Sequence, residues 1–190
     1  QYSFPILLPT MNINQLRTNI FQIQEKIAQA ARRVGRKPEA ITLVAVTKTV
    51  ESEIVKVLAD LGIQHIGENR VADAKQKRQE IGLPSPFIWH MIGHLQRNKI
   101  QDALALFDWI HSVDSVTLAQ EIGRRTVRPV TVFLEVNISQ EPNKGGFSIL
   151  ELEENIEQLI AIPHLQIQGL MTMAPQSQDL DICRSCFRKL

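Results

Sequence analysis

The chain reads as an α/β protein, a (β/α)8 TIM barrel that stops two strand-helix units short of closure. Three observations support that class. Apolar runs of strand character alternate with helical stretches six times from residue 41 onward. Each run ends in polar residues, as expected where chemistry gathers at the carboxyl ends of parallel strands. Length is the third: 190 residues fall short of the roughly 250 that a complete barrel takes. Alternation alone leaves an open doubly wound sheet as the other arrangement with right-handed crossovers.

Ile13, Leu16, Ile20, Ile23, Ile27, Ala30 and Val34 recur at steps of three and four, which predicts a leading helix ending at Gly35 with Pro38 beyond. Residues 41–46 read as a buried parallel strand, and Ile54, Val55, Val57, Leu58 and Leu61 as a helical face stopped by Gly62. A short strand at 64–67 leads into a polar helix over 69–81, closed by Gly82 and Pro84. Residues 87–92 form the third strand, with a helix at 97–106, and 109–113 the fourth, with a helix at 115–126. The fifth strand spans 130–138 with a helix at 148–160, and the sixth spans 165–171 with a last helix from 179. Residues 1–10 read as an N-terminal extension, and 11–190 as one domain, incomplete at its C-terminal end.

Composition narrows the function classes. Hydrophobic residues make up 44% and charged residues 22%, as in ordinary globular domains. Twenty-one Lys and Arg against twenty Asp and Glu leave a net charge of +1, so no nucleic-acid or membrane-surface partner is expected. The basic clusters, Arg32, Arg33, Arg36 and Lys37, and Arg124, Arg125 and Arg128, sit at helix ends, where cations complement the dipole. No apolar run approaches the ~20 residues of a membrane span, and the first ten residues lack a secretory pattern. Two cysteines cannot make a disulfide framework, which agrees with a reducing cytoplasm.

The residues at the strand ends carry the chemistry. Lys48 emerges from Leu43, Val44, Ala45 and Val46, where an amine is expected to be partly desolvated and nucleophilic; the alternative is a surface lysine just past a strand. Asn69 follows the second strand, His90 lies in the third, Ser112 and Asp114 end the fourth, Asn137 the fifth and Met171 the sixth. His90 reads equally as a satisfied core histidine, and Ser112 as a residue bonded to backbone. His90 and His94 have zinc-pair spacing but no third ligand and no shared helical face, so no metal is expected. Lys144, Gly145 and Gly146 could offer amides to an anion but lack P-loop spacing, and an ordinary loop is the better reading. Cys183 and Cys186 fall on a stripe with Ile182, Phe187 and Leu190, so packing outweighs redox chemistry.

Six segments occur in order: Ala45-Val46-Thr47-Lys48; Ile66-Gly67-Glu68-Asn69; Trp89-His90-Met91-Ile92-Gly93 with Leu95-Gln96-Arg97-Asn98-Lys99; Ser112-Val113-Asp114; Val136-Asn137; and Gly169-Leu170-Met171. With these segments the chain resembles the pyridoxal phosphate homeostasis protein family, single-domain relatives of the alanine racemase N-terminal barrel. The resemblance implies that barrel, with pyridoxal 5'-phosphate held as a Schiff base on Lys48. It implies Asn69 beside the cofactor, and His90, Ser112, Asn137 and Met171 lining the pocket. Asn69 and Asn137 can hydrogen-bond polar ring substituents, and Met171 offers a polarizable contact.

The family's phosphate-binding and pyridine-nitrogen segments follow its seventh and eighth strands, so those residues are expected beyond Leu190. The implied role is intracellular pyridoxal phosphate (PLP) homeostasis, without turnover and with no catalytic residues. The expected protein is a cytoplasmic monomer with apo-PLP enzymes as recipients. The alternatives are a PLP-dependent racemase or lyase of the same fold, or a barrel aldolase using Lys48 on its substrate.

Overall fold

The computed structural model describes residues 12–141 and 144–190; the N-terminal extension expected at 1–10 lies outside them. Helix α1 (Ile13–Arg33) starts at Asn12, whose side chain accepts from the Gln15 amide. After a 3-10 turn at Pro38–Ala40, the chain alternates without interruption. The order is β1 (Val44–Val46), α2 (Ser52–Asp60), β2 (His65–Glu68), α3 (Val71–Ile81), β3 (Ile88–Met91), α4 (Ile100–Leu106) and β4 (Trp109–Val113). It continues with α5 (Val116–Arg125), β5 (Val130–Glu135), α6 (Ile149–Ile160), β6 (Leu165–Met171) and α7 (Leu180–Lys189). Ser148 and Glu151 form a reciprocal capping box that starts α6 sharply after the β5 loop.

All strands are parallel, and their order in the sheet is their order in the chain. A doubly wound sheet reverses direction at a switch point; this one never does, which is barrel topology. The sheet also curls. Strands two places apart in a flat sheet lie nearly 10 Å apart, yet Cα atoms of β4 and β6 come within 8 Å. Among the described residues β1 and β6 do not pair, so the sheet is open between them.

Alternating side chains divide the strands into two faces. Ile66, Trp89, Met91, Ile110, Val132 and Leu134 pack under the helices and form the main core with Val55, Ala74, Ile100, Ile122 and Leu159. The other face is the concave one. There His65, His90, Trp109, His111 and Phe133 touch ring to ring across β2 to β5.

Some boundaries and stripes differ from the sequence reading. The first strand is Val44–Val46, shorter than 41–46, because its ladder begins only at Val44 opposite His65. The fifth ends at Glu135; Val136 instead forms an isolated bridge with Phe147, which brings the following loop back onto the sheet. In α1 the buried residues are Ile20, Ala28 and Ala31, while Ile13, Ile23 and Val34 are exposed. The inward face is therefore rotated from the expected stripe, with Ile20 shared and the small residues Ala28 and Ala31 in place of Ile23, Ile27 and Val34. In α7 Cys186 is buried beside Val136 and Ile138, whereas Ile182, Phe187 and Leu190 stay exposed. That supports packing for Cys186 and leaves most of the stripe uncovered within the described residues.

Candidate functional site

The carboxyl ends of the strands form a polar rim whose members differ in how far their polar groups are already engaged. Thr47 follows β1, and its carbonyl accepts from the Val50 amide at 3.1 Å. This closes a turn that presents Lys48 at its first central position. Lys48 is exposed, where the sequence predicts a partly desolvated amine; among the described residues β1 pairs only with β2, and the turn after it is open on its other side. Among the described residues Lys48 makes no ion pair, so its amine is available to a ligand.

Asn69 lies one strand over. The β1–β2 register, with Val46 opposite Gly67, continues through a Thr47 amide bond to the Gly67 carbonyl at 3.0 Å, placing the Lys48 turn beside Asn69. Asn69 is half-buried, and its side-chain amide has no hydrogen-bond partner among the described residues. Its backbone presses against Gly93, where an added Cβ would stand 2.3 Å from the Asn69 carbonyl oxygen. Only glycine permits that approach. Met171 ends β6 opposite Glu135, half-buried on the far edge of the sheet.

The other three expected pocket residues are engaged within the protein. His90 is buried; its Nε2 meets His65 Nδ1 at 2.9 Å and its Nδ1 meets His111 Nε2 at 2.8 Å. Both ring nitrogens are therefore occupied, as in a satisfied core histidine. Ser112 Oγ donates to the Gly93 carbonyl at 2.6 Å, tying the end of β4 to the loop after β3. Asn137 Nδ2 donates to the Glu141 and Lys144 carbonyls and shapes the loop after β5. Their geometry favours support of the rim over ligand contact.

The Lys144-Gly145-Gly146 segment belongs to that loop. Lys144 Nζ pairs with Glu141 at 2.7 Å. Gly146 has φ +109° and packs where a Cβ would meet the Glu135 carbonyl at 2.9 Å. His94 is exposed and bonds Asp114 Oδ2 at 3.0 Å, well away from the His90 pairing. Among the described residues no group of three metal-ligating side chains converges.

Sequence reasoning missed two clusters. The first lies beneath the Lys48 turn: Lys77 reaches from α3 to Glu68 Oε1 at 2.7 Å and to the Thr47 carbonyl at 2.6 Å. All three residues are buried. By composition the helix reads as simply polar. Its signal was the spacing of Val71, Ala74 and Lys77, which places a lysine on the inward stripe nine residues after Glu68. The second cluster is at the ends of β4 and β5, where burial, and then the charge of Asp114, push the Glu135 carboxyl above its usual range while His94 opposes the shift. A cleft of about 430 Å³ opens beside Asn69, lined also by Arg70, Gly93, His94, Gln96 and Lys99.

The histidine chain has a consequence in acid. Burial, followed by the charges of His111 and His65, pushes His90 down to about 3 from 6.5, and burial pushes His111 down to about 4. Both bind protons more readily unfolded, so their contribution is full above pH 6.5 and is lost progressively as pH falls below it, completely once pH has passed about 4 for His111 and about 3 for His90. Urea unfolding between pH 7 and 4 is expected to lose stability by up to about 1.4 kcal/mol per pH unit for each proton taken up. In His90→Gln the slope should be shallower; an unchanged slope would assign the acid sensitivity to other groups.

Comparison with known proteins bears on this rim. The family model described as "Alanine racemase, N-terminal domain" matches residues 15–189. The pyridoxal phosphate homeostasis protein of Escherichia coli strain K12 is 36% identical over 173 residues, covering 87% of this chain and 74% of that protein. The protein of the same name from Aquifex aeolicus strain VF5 is 33% identical over 172 residues, covering 89% and 75%. Among solved structures, PipY of Synechococcus elongatus PCC7942, determined with PLP bound, superposes with a TM-score of 0.74 at 34% identity. That match covers 86% of this chain and 77% of PipY.

Proposed function

This chain belongs to the pyridoxal phosphate homeostasis protein family, with the alanine racemase N-terminal fold, and from that premise we propose that it binds pyridoxal 5'-phosphate through Lys48 and serves intracellular PLP homeostasis without turnover of its own. The observation that carries the reading is the exposed Lys48 amine, held out on a hydrogen-bonded turn beside the Asn69 amide, neither with a side-chain partner among the described residues. The rim fits the cofactor's reactive end: a primary amine condenses with an aldehyde and releases water, and an exposed lysine can reach one. When bound, the cofactor supplies an electron-withdrawing ring to whatever amine it carries.

Lys48 would hold the aldehyde carbon, Asn69 would donate to a polar ring substituent, and Met171 would pack against the ring. Ser112, Asn137 and His90 support the rim on which these residues stand. Turnover as a racemase needs proton donors on both faces of a substrate carbon. The buried histidine nitrogens are engaged with one another, which supports a binding role. Recipient apo-PLP enzymes, a cytoplasmic location and a monomeric state belong to the same proposal; no helix among the described residues is long and apolar enough to cross a membrane.

The test is titration of the purified protein with pyridoxal 5'-phosphate, borohydride reduction and peptide mapping. A single adduct on Lys48 is the expected result, and one on Lys99 or Lys144 would overturn the assignment. Incubation with L-alanine in deuterated water separates carrier from enzyme. Exchange of the α-proton at about 1 per second or faster would place the protein with the racemases.

A further inference from the structure

We infer that Lys77 and Glu68 are positioning residues for Lys48, acting through the Thr47 carbonyl as a buried clamp on the turn that presents the reactive amine. This inference rests on the proposed role of Lys48 and adds residues from beneath the sheet end. Every polar group of Thr47 is held. Its amide donates to the Gly67 carbonyl at 3.0 Å, its Oγ1 donates to Glu68 Oε1 at 2.6 Å, and its carbonyl accepts from Lys77 Nζ at 2.6 Å. The same carbonyl accepts the Val50 amide that closes the turn around Lys48 and Thr49.

The ammonium of Lys77 therefore fixes the peptide plane that leads directly into Lys48. Glu68 in turn fixes the ammonium at 2.7 Å. Thr47 is 2% exposed and Glu68 0%, whereas Lys48 and Thr49 are exposed, so the rigid and the accessible halves of the turn meet at one peptide bond.

A buried pair is a poor way to add stability, since desolvating two charges offsets much of their attraction. Glu68 Oε2 even has no partner among the described residues. What the pair does supply is direction. Among the described residues β1 has only three residues in its ladder with β2, which leaves the following turn lightly held by the sheet. A charge-assisted bond to the last carbonyl before the turn supplies the missing constraint. Lys48 then starts from a fixed backbone, and fewer conformers are lost when its amine engages a ligand.

The experiment uses the whole chain and the double variant Glu68→Leu/Lys77→Met, which removes both charges together. Two quantities are read: exchange of the Val50 amide in the cofactor-free protein, and the rate of covalent attachment of pyridoxal 5'-phosphate at Lys48. Both are expected to change by about tenfold, the scale of one lost charge-assisted hydrogen bond, with exchange faster and attachment slower while amides of β3 to β5 keep their protection. Unchanged attachment overturns the clamp, whether or not Val50 exchange rises. If the double variant does not fold, the isosteric Glu68→Gln gives the same two readings at smaller amplitude. Wild-type protein that takes no adduct on Lys48 would refute the proposed function, and unaltered Val50 exchange in a folded variant would separately refute the clamp.

Discussion

Lys48→Ala is expected to reduce covalent retention of pyridoxal 5'-phosphate sharply while leaving the fold intact. The side chain is exposed on a turn, makes no ion pair among the described residues, and packs against no core cluster. Its loss should therefore shift stability by no more than about 0.5 kcal/mol. Covalent attachment should fall sharply, because Lys48 is the amine presented on the turn next to Asn69; Lys99, which lines the cleft beside Asn69, is the residue on which any remaining label would be sought. Absorbance after dialysis and borohydride-stable label measure the effect, and unfolding in urea supplies the control. Label that survives in a variant of normal stability would move the attachment site elsewhere.

Lys77→Met alone should act in the opposite way, costing about 3 to 5 kcal/mol of stability. It strands the Glu68 carboxylate at 0% exposure, with Oε2 already unpartnered and Oε1 keeping only the Thr47 hydroxyl. Glu68→Leu/Lys77→Met removes both charges and is expected to lose far less, as replacement of a buried pair by apolar side chains usually does. Urea midpoints of the two variants give the comparison. A single variant within about 1 kcal/mol of wild type would mean that the Glu68 carboxylate finds another donor at little cost.

Much of the architecture is legible in local pattern. The sixth strand is observed at Leu165–Met171, the bounds read from the sequence, and the capping serines and the glycine stops lie where the helices begin and end. Short-range signals of this kind depend on residues three to four apart, so they survive without knowledge of the partner surface. Edges are less legible. The 41–46 run contains three strand residues because pairing, which no local pattern records, begins only at Val44.

The sequence by itself determined the alternation of strands and helices, the polar residues at the strand ends, the absence of a charge pattern for nucleic acid, and, through six ordered segments, the family resemblance that singles out Lys48. Tertiary structure alone decided which of those residues remain available. His90, Ser112 and Asn137 look as suited to a ligand as Asn69 until their partners are seen: two imidazoles, the Gly93 carbonyl, and the carbonyls of Glu141 and Lys144. Those partners lie 4 to 25 residues away in the chain, on other strands or across a loop. The same holds for Lys77, which meets Thr47 across 30 residues. Composition and periodicity record what a side chain is and which way it faces. Whether its hydrogen bonds are already made depends on distances that only the folded chain sets.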